Sequence, residues 1–305
     1  MASPVIVTGA AGLIGFAVAA RLAADGRPVV GTDIVQPAED GGFAFHEADI
    51  RDAHALYPLL RDGAAGIIHC GAVSGPMLFP DQPHTIVDIN IGGTANVLEA
   101  ARVHNLRRVV YCSSTSAYGD TPSGLERVNE DTPLSAVDVY GATKAAGDVL
   151  ARAYAAQHGL DAVALRFSWV YGPRRRTDCI LRQMIRDAEA GVPSRFAFGD
   201  GFTRQYVHID DVVRATLAAW DADTLPQHAY NVTGGSRLSF DGIADAVRTL
   251  YPDADIANDG APAVGDLLHG GFDISAATRD LGYTPSLSIE DGARAYAAWL
   301  SEHPF

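Results

Sequence analysis

In the first half of the chain, short runs that are apolar almost throughout alternate with longer stretches whose apolar residues recur at helical spacing. The short runs are Val5–Thr8, Val29–Asp33, and residues 43–48, 66–70 and 109–112. Leu13–Ala24, Ala53–Arg61 and residues 88–103 lie among them and read as helices. Strands that are apolar on both faces need cover on both faces, so the pattern predicts a parallel sheet between layers of helix. A long helix over residues 140–158 and a strand at Ala162–Phe167 complete a six-stranded, doubly wound α/β arrangement.

Beyond Pro173 the texture changes. A helix over Ile180–Ala190, a loop through Gly199-Asp200-Gly201, and short runs at residues 205–209 and 230–232 follow irregularly, and Gly, Pro and Asp punctuate residues 251–271. The expected organisation is a first domain over residues 1–173 and a smaller α+β substrate-binding region over residues 174–305. No low-complexity linker separates them, so they are expected to pack as one unit.

Composition narrows the partners. The 305 residues are 48% hydrophobic and 20% charged, ordinary for a globular protein, and carry a formal net charge of −14. That charge opposes binding to nucleic acid, which relies on clustered Lys and Arg, and to an anionic membrane surface. No apolar run approaches the roughly 20 residues needed to span a bilayer. Met1-Ala2-Ser3 leads directly into the first strand without the pattern of a signal peptide. Cys70, Cys112 and Cys179 are odd in number and lack metal-type spacing, so no metal is expected, and buried reduced thiols in the cytoplasm are.

The turn after the first strand reads Thr8-Gly9-Ala10-Ala11-Gly12-Leu13-Ile14-Gly15. Glycines let such a turn close and let backbone N–H groups approach a pyrophosphate, which then faces a helix N-terminus. In its strand–turn–helix context this predicts dinucleotide binding through Gly9, Ala11, Gly12, Leu13, Ile14 and Gly15. Asp33 ends the second strand, where a carboxylate accepts the adenosine ribose hydroxyls and repels a 2′-phosphate. Ile34, Val35 and Gln36 supply no cation to offset that repulsion, so NAD is favoured over NADP. Asp49-Ile50 is expected at the adenine edge, although Asp before a helix is also an ordinary cap. Gly71-Ala72-Val73 offers small side chains where backbone would run close to a cofactor.

Tyr140 and Lys144 stand four residues apart on one helical face. A phenol ordinarily keeps its proton near neutrality, so a tyrosine acting as base needs a nearby cation, which Lys144 supplies. Tyr140 would take the proton of a substrate hydroxyl as hydride leaves the same carbon, and Lys144 could also hold the nicotinamide ribose. Ser113-Ser114-Thr115-Ser116-Ala117-Tyr118-Gly119 follows the fifth strand at the sheet edge where such folds bind ligands. Ser114 is the expected hydroxyl partner of the reacting oxygen, with Ser116 in reserve; a loop bonding its own backbone is the plainer alternative. Asn90, at the start of a helix, either fixes backbone near the site or is a simple helix-terminal residue.

Together these segments resemble an extended short-chain dehydrogenase/reductase of the NAD-dependent epimerase/dehydratase family. The resemblance runs nearly end to end and adds Tyr171-Gly172-Pro173, Gly199–Gly201, Arg204-Gln205-Tyr206-Val207-His208-Ile209-Asp210-Asp211 and Leu281-Gly282-Tyr283-Thr284-Pro285. It implies a Rossmann-type domain, tightly held NAD, a Ser–Tyr–Lys triad, and often a homodimer, here through the helices at residues 88–103 and 140–158. It also implies cofactor contacts from Asn90, Phe167 and Val170, and substrate contacts from Ser74, Thr115, Ser116, Ser168, Trp169, Arg174 and Arg204.

Three departures bear on the substrate. Sugar dehydratases of the family carry an acidic pair just after the catalytic hydroxyl, where this chain has Thr115 and Ser116. Nucleotide-sugar epimerases often place Asn where Trp169 stands, and Arg where Leu268 stands. Arg204 and the run Arg174-Arg175-Arg176 remain to meet an anion, and one bidentate Arg suits a carboxylate as well as a phosphate. From sequence the leading expectation is a net dehydrogenase of a free sugar or sugar acid. A nucleotide-sugar 4-epimerase that recycles NAD is the alternative, and a non-catalytic dinucleotide sensor, which would need no triad, the remote one.

Overall fold

The computed structural model describes residues 2–61, 63–75, 77–121, 125–198, 201–260 and 270–303. Its main sheet is built from β1 (Val5–Thr8), β2 (Val29–Asp33), β3 (Ala44–Glu47), β4 (Gly66–His69), β5 (Val109–Ser114) and β6 (Ala162–Phe167). Every strand pair is parallel, and β1 joins both β2 and β4 in register from Val5 onward. Ile6, Val7, Ile67, Ile68, Val109, Val110, Val163 and Leu165 are buried along these strands, each side chain worth roughly 1.5–3 kcal/mol removed from water. The two-sided burial expected from the apolar runs holds for β1, β4, β5 and β6, whereas β3 at the sheet edge is mostly exposed.

The sheet has a seventh strand that the periodicity of the first half does not contain. After β7 (Trp169–Tyr171) and β8 (Thr203–His208), β9 (Ala229–Val232) returns to pair with β6. The order is therefore β9-β6-β5-β4-β1-β2-β3. Beyond Pro173 the chain also supplies the helix Ile209–Asp221, whose Val212, Val213 and Ala215 share a core with Val18, Ala19 and Leu22 of the first helix. Separately, Leu181, Met184, Ile185, Phe240, Ile243, Tyr296 and Leu300 close a second core in the C-terminal part.

The expected helix at residues 88–103 is built in pieces. A short helix, Pro83–Val87, runs into a π-helical turn at Asp88–Gly92 and then into α-helix Gly93–Val103. The long helix Val139–His158 starts where the Asp138 side chain accepts from the Gly141 N–H at 2.7 Å, and ends at Gly159 in the left-handed region, φ 69°.

Candidate functional site

The C-terminal ends of β1, β2, β4, β5 and β6 open on one cleft of about 800 Å³, as ligand sites in such sheets do. At one end the turn after β1 is shaped by its glycines. Gly9 holds φ +68° and packs so closely on Cys70 and Gly71 that a Cβ would lie 2.6 Å from the Gly71 nitrogen. A Cβ on Gly15 would lie 2.1 Å from the Gly9 oxygen, so both positions exclude a side chain. Ala11, Gly12, Leu13 and Ile14 line the cleft between them. Asp33 joins this turn directly: its carboxylate accepts from the Ala11 N–H at 3.0 Å and the Ile34 N–H at 2.7 Å. A fixed carboxylate beside a glycine-lined helix N-terminus fits an adenine dinucleotide.

Asp49 and Ile50 line the same end, but the Asp49 carboxylate is already engaged. Arg51 donates to it from its side chain at 2.6 Å and from its backbone at 2.9 Å, and this holds the carboxyl below its ordinary range. The expectation of a carboxylate reserved for the adenine edge therefore meets a surface ion pair.

Gly71, Ala72, Val73 and Ser74 form the next stretch of wall. Asn90, expected at the cofactor, is not among the residues lining the cleft; it lies behind them, 1% exposed. Its side chain accepts from the Val73 N–H at 2.8 Å, donates to the Val73 carbonyl at 3.1 Å, and donates to the Thr143 hydroxyl at 2.9 Å. Thr143 in turn donates to the Tyr140 carbonyl at 2.7 Å. The π-helical turn aims Asn90 inward, so one buried amide ties the cofactor wall to the helix that carries Tyr140.

Below this wall runs a second chain of bonds that fixes a neutral histidine. Thr8 Oγ1 accepts from the Gly71 N–H at 3.1 Å and bonds His69 Nδ1 at 2.7 Å, while His69 Nε2 bonds Thr94 Oγ1 at 3.0 Å. Thr94 donates to the Asn90 carbonyl, so its oxygen receives the Nε2 proton and Nδ1 accepts from Thr8. Burial, with the Lys144 charge adding to it, pushes the His69 pKa down to about 3.

At the middle of the cleft the helix bearing Tyr140 presses on the loop after β5. A Cβ on Gly141 would lie 2.5 Å from the Ser116 carbonyl oxygen, so glycine permits the contact that brings Tyr140 and the serine loop to the same wall. Ser114 caps a 3-10 turn at Thr115–Tyr118: its oxygen accepts from the Ser116 N–H at 3.1 Å and its hydroxyl donates to Ser116 Oγ at 3.1 Å. Lys144 is 4% exposed, donates to the Cys112 carbonyl at 2.8 Å, and lies 5.1 Å and 5.9 Å from the ring centres of Tyr111 and Tyr140. Ser114, Thr115, Ser116, Tyr140 and Lys144 all line the cleft. The arrangement places an acceptor for a proton, a hydroxyl and a cation side by side, the set needed to move a proton from a carbinol.

The far end is lined by Phe167, Ser168, Trp169, Val170 and Arg174. Arg204, expected here as an anion clamp, is not among the lining residues. Trp169 pairs with Tyr206 across β7 and β8, and Arg204, two residues earlier on the same face, lays its guanidinium 3.8 Å from the Trp169 ring centre. Arg174 belongs to the cofactor half as much as to this one. Its guanidinium sits 3.6 Å from the Phe16 ring centre and pairs with Glu39, which follows Asp33 on the opposite rim. Arg175 and Arg176, of the arginine run expected to meet an anion, line the cleft as well, whereas Glu39 and Phe16 carry no signal in the sequence because only the crossing of distant segments brings them there. The expected Leu268 lies outside the described residues, as do Gly199 and Asp200. Among the described residues no cluster of side chains could hold a metal ion, and no helix is long and apolar enough to cross a membrane.

Comparison with known proteins matches this geometry to a family. A sequence model described as "NAD dependent epimerase/dehydratase family" matches residues 5–233. The chain is 30% identical to a UDP-glucuronate 4-epimerase of Thermodesulfobacterium geofontis, covering 98% of this chain and 96% of the relative. It is 33% identical to a UDP-glucose 4-epimerase of Mycolicibacterium smegmatis, covering 94% and 95%. A solved UDP-glucuronic acid 4-epimerase from Bacillus cereus, in complex with UDP-glucuronic acid and NAD, superposes with a TM-score of 0.84 at 29% identity over 98% of this chain and 99% of that one. The match over most of the chain, the glycine turn with Asp33 and the Ser114–Tyr140–Lys144 wall agree, and the chain belongs to the NAD-dependent epimerase/dehydratase family of extended short-chain dehydrogenase/reductase enzymes.

Proposed function

We propose that this NAD-dependent enzyme is a nucleotide-sugar 4-epimerase acting on a UDP-linked hexose or hexuronate. The observation that carries the reading is the single cleft, which runs from Asp33 past Tyr140 and Lys144 to Ser168, Trp169 and Arg174. Beyond the dinucleotide half its lining continues with the polar and cationic side chains a sugar nucleotide would need, and the relatives matched over nearly their whole length include UDP-sugar 4-epimerases. NAD supplies a hydride acceptor that can return the hydride. The chain supplies the rest: Tyr140 takes the proton of the sugar hydroxyl, Ser114 bonds the reacting oxygen, and Lys144 holds the ribose and sets a cation on the same wall as the phenol. Thr115 and Ser116 carry no acid or base for eliminating water, so dehydration is disfavoured, and in this reading the ketone takes the hydride back. In this reading residues 1–173 hold mainly cofactor and residues 174–305 select substrate.

The net dehydrogenase expected from sequence stands as the second reading, favoured by one observation. Trp169, with the Arg204 guanidinium stacked on it, fills a place where related epimerases often carry a small amide. The two readings part on whether NADH accumulates. UDP-glucose, UDP-galactose and the two corresponding uronates are incubated with the enzyme and followed by NMR and by absorbance of NADH. Interconversion of 4-epimers without lasting NADH supports the epimerase. Steady NADH from a free sugar or aldonate, with every nucleotide sugar unchanged, refutes it. We also propose a homodimer through Gly93–Val103 and Val139–His158, whose exposed faces include Val103 and Val149, each 48% exposed. The free thiols accord with a reducing cytoplasmic setting.

A further inference from the structure

Two of the three cysteines meet on the floor of the cleft. β4 and β5 are parallel and in register through His69 and Tyr111, so the next positions along are Cys70 and Cys112. Paired residues on parallel strands point to the same face, and here the two Sγ atoms are 3.2 Å apart. Neighbouring strands lie about 4.8 Å apart, inside the span of about 4.4–6.8 Å over which Cα atoms accept a disulfide. The sulfurs need to close by only about 1.2 Å to reach the bonded distance of about 2.0 Å. Cys70 is the partly open member and Cys112 the buried one, and both line the cleft.

The pair is also wired to the working residues. The Cys112 carbonyl is the acceptor that anchors the Lys144 ammonium at 2.8 Å. Cys70 precedes Gly71, whose N–H is held by Thr8 in the cofactor wall. Drawing the two sulfurs together pulls on both anchors at once.

We propose that Cys70 and Cys112 are a thiol modification site, oxidised by small-molecule disulfides to an intramolecular disulfide that weakens cofactor binding. The Cys70 thiolate attacks one sulfur of the reagent, its S–S bond breaks, and one reagent thiol leaves with the proton. Cys112 then attacks the mixed disulfide at the Cys70 sulfur and expels the second reagent thiol. Two protein thiols are oxidised and one reagent disulfide is reduced to two thiols. The neighbouring Cys112 thiol and burial push the Cys70 thiol up, while the Lys144 charge works the other way.

The purified enzyme is incubated with excess oxidised glutathione, digested, and examined by mass spectrometry, and its NAD affinity is measured by calorimetry before and after. The expected result is a Cys70–Cys112 cross-linked peptide, with Cys179, buried in the other core, left as a thiol. NAD is expected to bind about tenfold more weakly after oxidation, the effect of losing one hydrogen bond from a charged group, and to recover with dithiothreitol. Cys70→Ser and Cys112→Ala are each expected to give no cross-link and an NAD affinity that oxidant does not move. A cross-link found only in denatured enzyme overturns the site, and a cross-link formed in native enzyme with unchanged NAD affinity overturns its effect. Neither readout uses a substrate, so both stand apart from the fate of the epimerase reading.

Discussion

Replacing Asn90 by Ala removes three buried hydrogen bonds at once, two to the Val73 backbone and one to the Thr143 hydroxyl. The Val73 N–H and C=O then lose their side-chain partner in a wall that is closed to solvent, and a stranded buried polar group costs about 1–3 kcal/mol. Thr143 keeps its bond to the Tyr140 carbonyl and loses only a donor, a smaller penalty. A total of roughly 3 kcal/mol follows, or a fall in Tm of about 5 °C, since an unfolding entropy of about 2.1 cal/mol/K per residue in a chain of 305 residues gives about 1.6 °C per kcal/mol. Because Val73 lines the cleft and Asn90 stands behind it, NAD affinity is expected to fall along with stability. Differential scanning calorimetry and NAD titration read the two effects. Asn90→Asp keeps the acceptor for the Val73 N–H but turns a carboxylate toward the Val73 carbonyl, so it is expected to destabilise at least as much. Melting within 1 °C of the parent for Asn90→Ala, with unchanged NAD affinity, would falsify the claim that this amide holds the wall.

Other expectations address the chemistry and its pH dependence. Tyr140→Phe is expected to cut turnover by about 10²–10⁴-fold, the range for removing a general acid–base group, while NAD titration stays close to the parent value; undiminished turnover removes Tyr140 from its proposed role. Asp33→Ala is expected to narrow the preference for NAD over NADP, and identical selectivity in paired binding measurements rules out its ribose role. His69 is held neutral, with its pKa pushed down to about 3 by burial, whereas an unfolded histidine titrates near 6.5. The unfolded chain therefore binds the extra proton between these values, so the contribution of neutral His69 is complete above about pH 6.5 and is lost as pH falls toward about 3, by up to about 1.4 kcal/mol per pH unit. Urea unfolding of the enzyme and of His69→Gln at pH 5 and pH 7 tests this, and an equal pH response in both proteins counts against it.

Much of the site was legible because its signals are local. The glycines at 9, 12 and 15, Asp33 at a strand end, and Tyr140 and Lys144 one turn apart each carry their reason within a few residues of themselves. Their convergence follows from parallel strands whose C-terminal ends share an edge, which the apolar runs already implied. The sequence left two readings of Asn90 open, and the π-helical turn at Asp88–Gly92 favours the one in which it fixes backbone beside the site. The sequence could not tell that Asp49 spends its carboxylate on Arg51, or that Arg204 stacks on Trp169 and leaves the cleft wall to Arg174 and Arg175. The seventh strand, Ala229–Val232, was likewise readable as a short apolar run but not as a member of the first sheet.

What the sequence determined by itself is the set of elements and the chemistry placed at their ends, because helical and extended periodicity and turn glycines act through nearest neighbours. What the tertiary structure decided is which of those groups face one another. The thiols of Cys70 and Cys112, 42 positions apart, and the pair of Arg174 with Glu39, 135 positions apart, meet only when strands align and loops cross the same cleft. Such contacts are set by burial and register summed over the whole sheet, and no single segment encodes them.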